Sequence, residues 1–398
     1  MRKNNLLVSL AVSVALMAPL AAHADAGDST IGGLIYTDFT SVSTTQDAPV
    51  VPTGKSTPTT GDIDPNGLGL DVKRGYFIVN HTFDDIWSAN LTTDFNFASY
   101  KAASTSTVTG GATGETVATT TTVTTPENQL FVKKIYVQGK FDPMVVLKVG
   151  SSDMPWIPFA EGVYGYRFVE NTLIDRTIGG VNSSFGNSAD WGVNLSGGNS
   201  MWSYSASIVN GNGYKNPSRS KSMDEEARVA FTPLDGSLII AVGGYTGKRG
   251  QDTEAEEAKL APNGLNTVSR TDYLIAWKNS GLTVGFEGFT ASKWFDVTNT
   301  APGVTTNSSS GNSIYASYDI PSTDFSVFGR YDDVKPLKDT DSSMEDKYYN
   351  AGFAWKSNAN ITWALVYKSD KVTDNLKLGN TTDDLKSQEF GIWAQIKY

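Results

Sequence analysis

The chain has 398 residues, with 32 basic and 42 acidic side chains for a net charge of −10, and it contains no cysteine. The acidic balance argues against a nucleic-acid partner, which needs a basic face, and the lack of thiols excludes disulfide stapling and cysteine chemistry. Aromatic residues make up 11% of the chain and glycine occupies 38 positions, which suits a β-protein with many turns better than a disordered chain.

Arg2 and Lys3 precede an apolar run from Leu6 to Leu20, followed by Ala22-His23-Ala24. A basic start, a short apolar core and a small-x-small site make residues 1–24 read as a secretory signal peptide, leaving one exported domain over 25–398. The run is too short for a membrane anchor and Pro19 breaks it.

From there the chain alternates. In IWSANLTTDFNF, Trp87, Ala89, Leu91, Thr93, Phe95 and Phe97 share one face, and Ser88, Asn90, Thr92, Asp94 and Asn96 the other. Period two means a strand with one apolar and one wet side. Strands are predicted near 30–43, 69–81, 86–98, 130–141, 144–150, 188–196, 201–210 and 223–232. The second half adds 237–247, 268–278, 282–292, 312–320, 324–332, 347–356, 361–370 and 385–398. Each is about ten residues, the length that crosses an outer membrane when tilted.

The joints sort by length. TFDD, DP, GGNS, PLDG, NSG, PST and SNAN are short and made of turn-forming residues. Between them lie long joints at 44–68, 99–129, 151–187, 211–222, 248–267, 293–311, 333–346 and 371–384. Short turns on one side and long loops on the other predict an all-β, transmembrane, antiparallel up-and-down barrel of about sixteen strands. A soluble sandwich has no reason to sort its joints. Trp87, Trp202, Trp277, Trp355 and Trp363 sit near short turns, and Phe97, Tyr245, Phe289, Tyr331, Tyr349 and Tyr367 near long ones. Two interfacial aromatic girdles explain that placement.

Three joints invite closer reading. Asp62, Asp64 and Asn66 are spaced like the first half of a calcium loop, but Lys73 stands where the motif needs Glu, so a turn-rich acidic loop is the better reading and no metal site or cofactor is assigned. The joint over 101–126 is threonine-rich. The joint 151–187 is different: DMPWIPFAEGVYGYRFVENTLIDR packs Trp156, Phe159, Tyr164, Tyr166 and Phe168, two prolines and charges of both signs into one connection. One histidine remains after residue 24, His81, with no evident nucleophile beside it, so a hydrolase is disfavoured.

Strand count, alternating joints and a last strand ending in Tyr398, with apolar residues at every second position before it, make the chain resemble the sixteen-stranded porins of Gram-negative outer membranes. The resemblance covers all of 25–398. It implies a water-filled channel for passive diffusion of small hydrophilic solutes and ions, set in a lipid bilayer with lipopolysaccharide. It further implies a homotrimer, in which the threonine-rich joint is a candidate subunit latch, and a C-terminal strand read by the barrel-assembly machinery through Tyr398. It makes 151–187, the third long joint, a constriction loop folded into the lumen.

On that reading Trp156, Phe159 and Tyr164 anchor the loop, while Asp153, Glu161, Arg167, Glu170, Asp175 and Arg176 face water. Strand parity puts Arg74, Lys134, Lys140 and Lys148 on the opposite wall, with Arg228 and Arg330 across the barrel; near Arg74 the parity is ambiguous and Lys73 is an alternative. A lysine facing lipid near the midplane costs about 2–4 kcal/mol, so these cations are expected to face water. An acidic loop against a basic wall predicts a transverse field. A phosphate- or anion-selective channel, a sugar channel using the aromatics of 156–168, a structural or adhesin barrel and an outer-membrane enzyme stand as alternatives.

Overall fold

The computed structural model describes residues 27–46, 66–96, 129–260, 263–373 and 384–398. The signal-peptide segment, the threonine-rich joint over 101–126, and Asp62 and Asp64 lie outside the described residues. Sixteen strands form one closed antiparallel barrel in which every strand pairs with its sequence neighbours and the last pairs with the first.

The strands are β1 Ser29–Gln46, β2 Gly67–Thr82, β3 Trp87–Asn96, β4 Gln129–Asp142, β5 Val145–Asp153, β6 Ala189–Gly198, β7 Trp202–Val209 and β8 Asp224–Phe231. They continue as β9 Leu238–Gly247, β10 Val268–Asn279, β11 Leu282–Ser292, β12 Ser308–Asp319, β13 Phe325–Lys335, β14 Glu345–Lys356, β15 Ile361–Thr373 and β16 Leu385–Lys397. Among the described residues two short helices interrupt the joints: α1 Ile157–Tyr164 and α2 Glu254–Leu260. Among the described residues no helix is long and apolar enough to cross a membrane; the strands do the crossing.

Burial is inverted relative to a water-soluble protein. In β8, Asp224, Glu226 and Arg228 are buried while Val229 and Phe231 are exposed. In β10, Arg270 and Asp272 are buried while Tyr273, Ile275 and Trp277 are exposed. Apolar side chains outside and charges inside identify hydrocarbon as the outer solvent, and a closed sheet is the strand architecture that leaves no backbone group unpaired there.

The five tryptophans near short turns all point outward, as do Tyr331 and Tyr349 at the other rim. Tyr245 and Phe289 do not join that rim. Both point into the barrel, Tyr245 against Trp294 and Phe289 against Phe185, with ring centroids 5.1 and 4.3 Å apart. Their proximity to long joints reflects packing on an inserted loop, not an interface with lipid. Phe97 is outside the described residues.

β16 closes on β1 along the strand from Leu34–Lys397 to Gln46–Leu385, and Tyr398 adds to the seam. Tyr398 exchanges backbone hydrogen bonds with Gly33, at 3.1 and 2.8 Å, and its ring covers that glycine so closely that a Cβ would meet Cζ at 2.1 Å. An aromatic ring lying over a strand glycine restores the packing the glycine lacks.

Candidate functional site

The chain leaves the wall after Asp153, crosses the interior and rejoins it at Ala189. Pro158 lies in the first turn of α1, where its missing N–H costs nothing, and Gly165 ends the helix in the left-handed region at φ 83°. The connecting segment carries two apolar clusters. One joins Trp156, Phe159, Tyr164, Ile174 and Phe185 to the inward residues of β7–β13. The other joins Phe168 and Val169 to Tyr36, Tyr76, Phe328 and Trp393.

Each anchor has a defined seat. Trp156 is fully buried. Its indole N–H donates to Glu287 Oε1 at 2.9 Å, and its backbone N–H donates to Glu226 Oε1 at 2.8 Å. Its ring occupies a recess over Gly243, where a Cβ would come within 2.6 Å. Arg228 lies 4.0 Å above the Phe159 ring and donates from Nε to Pro155 O at 2.9 Å. Lys278 Nζ donates to Gly162 O at 3.2 Å, in the last turn of α1 where carbonyls lack helical partners and a cation is favoured. Tyr164 meets Tyr315 edge-on at 5.2 Å, lies under Arg330 at 5.0 Å and accepts from Asn350 at 3.2 Å. Tyr166 stacks on Phe328 at 4.0 Å.

The charges are distributed differently from an acidic loop facing a basic wall. Asp153, the last residue of β5, pairs with Lys134 at 3.1 Å, and Glu170 with Lys368 at 3.5 Å. Glu161 and Asp175 are instead taken by the loop's own Arg167, Asp175 at 3.6 Å. At the far end the polarity reverses: Arg176 enters an acidic recess of Asp332, Asp346 and Asp370 at 3.3, 2.5 and 3.1 Å. Asp332 is shared with Arg330 at 2.6 Å. Once the loop is packed, its charges leave bulk water, and a buried charge has to be matched where it lands.

Of the wall cations, Arg74 pairs with Asp94 at 3.2 Å and Lys148 lies 4.9 Å from the Tyr136 ring. Lys140 is exposed near the short-turn end, and Arg228 and Arg330 are buried against the loop. Regular alternation gives one inward cation at each of two places where the structure has two: Lys73, the alternative to Arg74, faces inward together with it, and Lys133 was not foreseen. A register shift in β2 leaves Lys73 without a partner position on β1, and Lys73 turns inward as Arg74 does, to Asp38 at 2.9 Å and Glu389 at 3.6 Å. A second shift in β4 does the same for Lys133 beside Lys134; Lys133 Nζ donates to Tyr76 Oη at 2.8 Å. A β-bulge puts two consecutive residues opposite one, so both side chains share a face. Arg270, Glu226 and Glu287 were within reach of parity reasoning, since all occupy alternate positions with other buried polar residues.

Four of the five aromatics of 156–168 offer no open face to a sugar. Trp156, Phe159, Tyr164 and Phe168 are buried as packing anchors. Asn66 is tied to the end of β1, its amide spanning the backbone N–H and carbonyl of Thr44. His81 does have a hydroxyl neighbour, Ser29 Oγ at 2.9 Å from Nδ1, in an exposed pair whose ring packs on Phe83 at 4.6 Å.

No sequence-family profile matches the chain, and no curated protein does. By fold it is a closed sixteen-stranded antiparallel β-barrel, similar to that of solved outer-membrane porins. It superposes on the outer-membrane channel DcaP of Acinetobacter baumannii with a TM-score of 0.55 and 10% identity, over 96% of this chain and 100% of that one. The anion-selective porin from Comamonas acidovorans gives 0.55 and 12% identity over 94% and 100%. OmpF of Salmonella typhi gives 0.52 and 12% identity over 94% and 98%. At these identities the likeness is one of fold.

Proposed function

We propose that the protein is an outer-membrane channel through which small hydrophilic solutes and ions diffuse, narrowed by the segment from Asp153 to Arg176. The observation that carries this reading is the contact of charged lumen side chains with water on the β2–β5 side: Arg74 keeps 20% of its side chain accessible, Lys134 11% and Asp153 34%. A sealed structural barrel has no need for partly hydrated ion pairs in its interior. The wider surroundings, lipopolysaccharide, a homotrimer and the barrel-assembly machinery acting on the Tyr398 strand, belong to the same proposal. A hydrolytic role has less support, because an exposed Ser29–His81 pair lacks the buried cleft that hydrolysis requires.

One observation favours a second reading, anion preference. Along this stretch Arg74, Lys133, Lys134 and Lys148, with Lys215 from the next long joint, outnumber the carboxylates Asp94 and Asp153. Local charge sets ion preference, and the net charge of the chain does not. The test is a planar-bilayer recording under a salt gradient. Lys134→Gln is expected to shift the reversal potential toward cations, and Asp153→Asn toward anions. Wild-type protein without conductance overturns the channel reading; conductance with an unmoved reversal potential in both variants overturns the assignment of the path.

A further inference from the structure

On the long-joint side of the barrel a separate cavity of about 400 Å³ opens between the end of the inserted loop and the joints after β7, β9 and β11. Small-molecule sites span about 300–1,000 Å³, so it has room for one or two sugar rings. Its lining is almost wholly polar. The residues that matter are Asn187, Asn212, Asn216, Gln251, Arg249 and Phe295.

Four of these six are carboxamides, each with a planar acceptor and two donors. Asn212 reaches Ser218 Oγ at a long 3.4 Å. The side chains of Asn187, Asn216 and Gln251 make no hydrogen bond among the described residues. Two glycines make room for them. A Cβ on Gly213 would meet Asn187 Cγ at 2.8 Å, and one on Gly250 would meet Asn212 Cβ at 2.7 Å.

Arg249 is held at the rim by an unusual turn. Gln251 N–H donates to Lys248 O at 3.0 Å, and φ is 51° at Arg249 and 66° at Gly250. Positive φ at both central residues defines a type I′ turn, which ordinarily takes Asn-Gly or Gly-Gly. Arginine is a disfavoured choice there. Its guanidinium donates from Nη1 to Trp294 O at 2.8 Å and lies 4.8 Å from the Trp294 ring. It forms no ion pair among the described residues, and its other N–H groups remain for a ligand. Phe295 is half-buried beside it, its edge against Phe185 at 5.1 Å.

We propose that this cavity binds a neutral saccharide of one or two pyranose rings. A sugar rim both donates and accepts, as carboxamides do. A cation finds no carboxylate in the lining, and an anion has no use for four amide acceptors. The same chemistry is offered by a free oligosaccharide and by the sugars of lipopolysaccharide.

The experiment is saturation-transfer NMR of maltose on the full chain in detergent, with folding checked by circular dichroism and single-channel conductance recorded on the same preparations. Wild-type protein is expected to bind saturably. The combined variant N187A/N216A/Q251A is expected to bind at least fivefold more weakly with unchanged conductance, which separates this site from the channel reading. If that variant does not fold, Asn216→Ala, at an exposed position, is expected to weaken binding at least twofold. Absence of saturable maltose binding, undiminished affinity in the folded variants, or inorganic phosphate binding tenfold more tightly than maltose overturns the proposal. Displacement of maltose by lipopolysaccharide micelles assigns the saccharide to the membrane, and its absence to a free solute; both support the site.

Discussion

At Gly243 one missing Cβ makes the seat of Trp156. The wall has no side chain there, and the indole fills the space down to a hypothetical 2.6 Å contact. Burying an aromatic of this size contributes about 1.5–3 kcal/mol, and overpacking a filled site costs about 1–3 kcal/mol. Gly243→Val is therefore expected to evict Trp156, loosen the first half of the loop, and raise and destabilise single-channel conductance, while the barrel still forms. The two bulges act at the same scale. Lys73 and Lys133 face the lumen because each strand slips by one residue, which sets cations in adjacent positions where regular alternation would send one of each pair into lipid.

Among the elements, the inserted loop is fastened at both ends by different physics. Its first half is held by aromatic packing around α1, and its second half by Arg176 in the recess of Asp332, Asp346 and Asp370. Asp346 also accepts from the Gly179 N–H at 2.6 Å, so the charged recess orders the backbone beyond it. Removing one partner of a buried ion pair costs about 3–5 kcal/mol, because the other charges stay behind. Arg176→Ala is expected to loosen the backbone around Gly179 while Phe185 stays packed on Phe289 and α1 is undisturbed. Hydrogen exchange measures this directly: amides near Gly179 lose protection, while those of residues 160–164 keep theirs.

For the whole molecule, stability depends on two solvents at once. The strands set apolar side chains outward, and their inward faces carry most of the buried charges together with the apolar contacts of the inserted loop. Ile275 lies mid-strand in β10 and points outward at 48% exposure, flanked by the inward Leu274 and Ala276. A lysine at such a position costs about 2–4 kcal/mol near the bilayer midplane. Ile275→Lys is expected to lower the unfolding free energy in urea by that amount when the barrel sits in lipid vesicles, as read by tryptophan fluorescence.

The barrel was legible in the sequence because its cause is local. A strand between lipid and water must alternate at period two, and turns on one side must be short, so all sixteen strands lie within a few residues of where IWSANLTTDFNF and its counterparts point. What the inserted loop does was not local. Tyr245 and Phe289 look like rim aromatics until Trp294 and Phe185 arrive from other joints. Arg176 looks like a wetted charge until three aspartates from β13, β14 and β15 enclose it. By itself the sequence determined the number of strands, their side-to-side order and which solvent each face meets. Only the tertiary structure decided which charges pair across the lumen, because a buried charge is matched by whatever the closed wall brings to it, and the closing of that wall joins residues hundreds of positions apart.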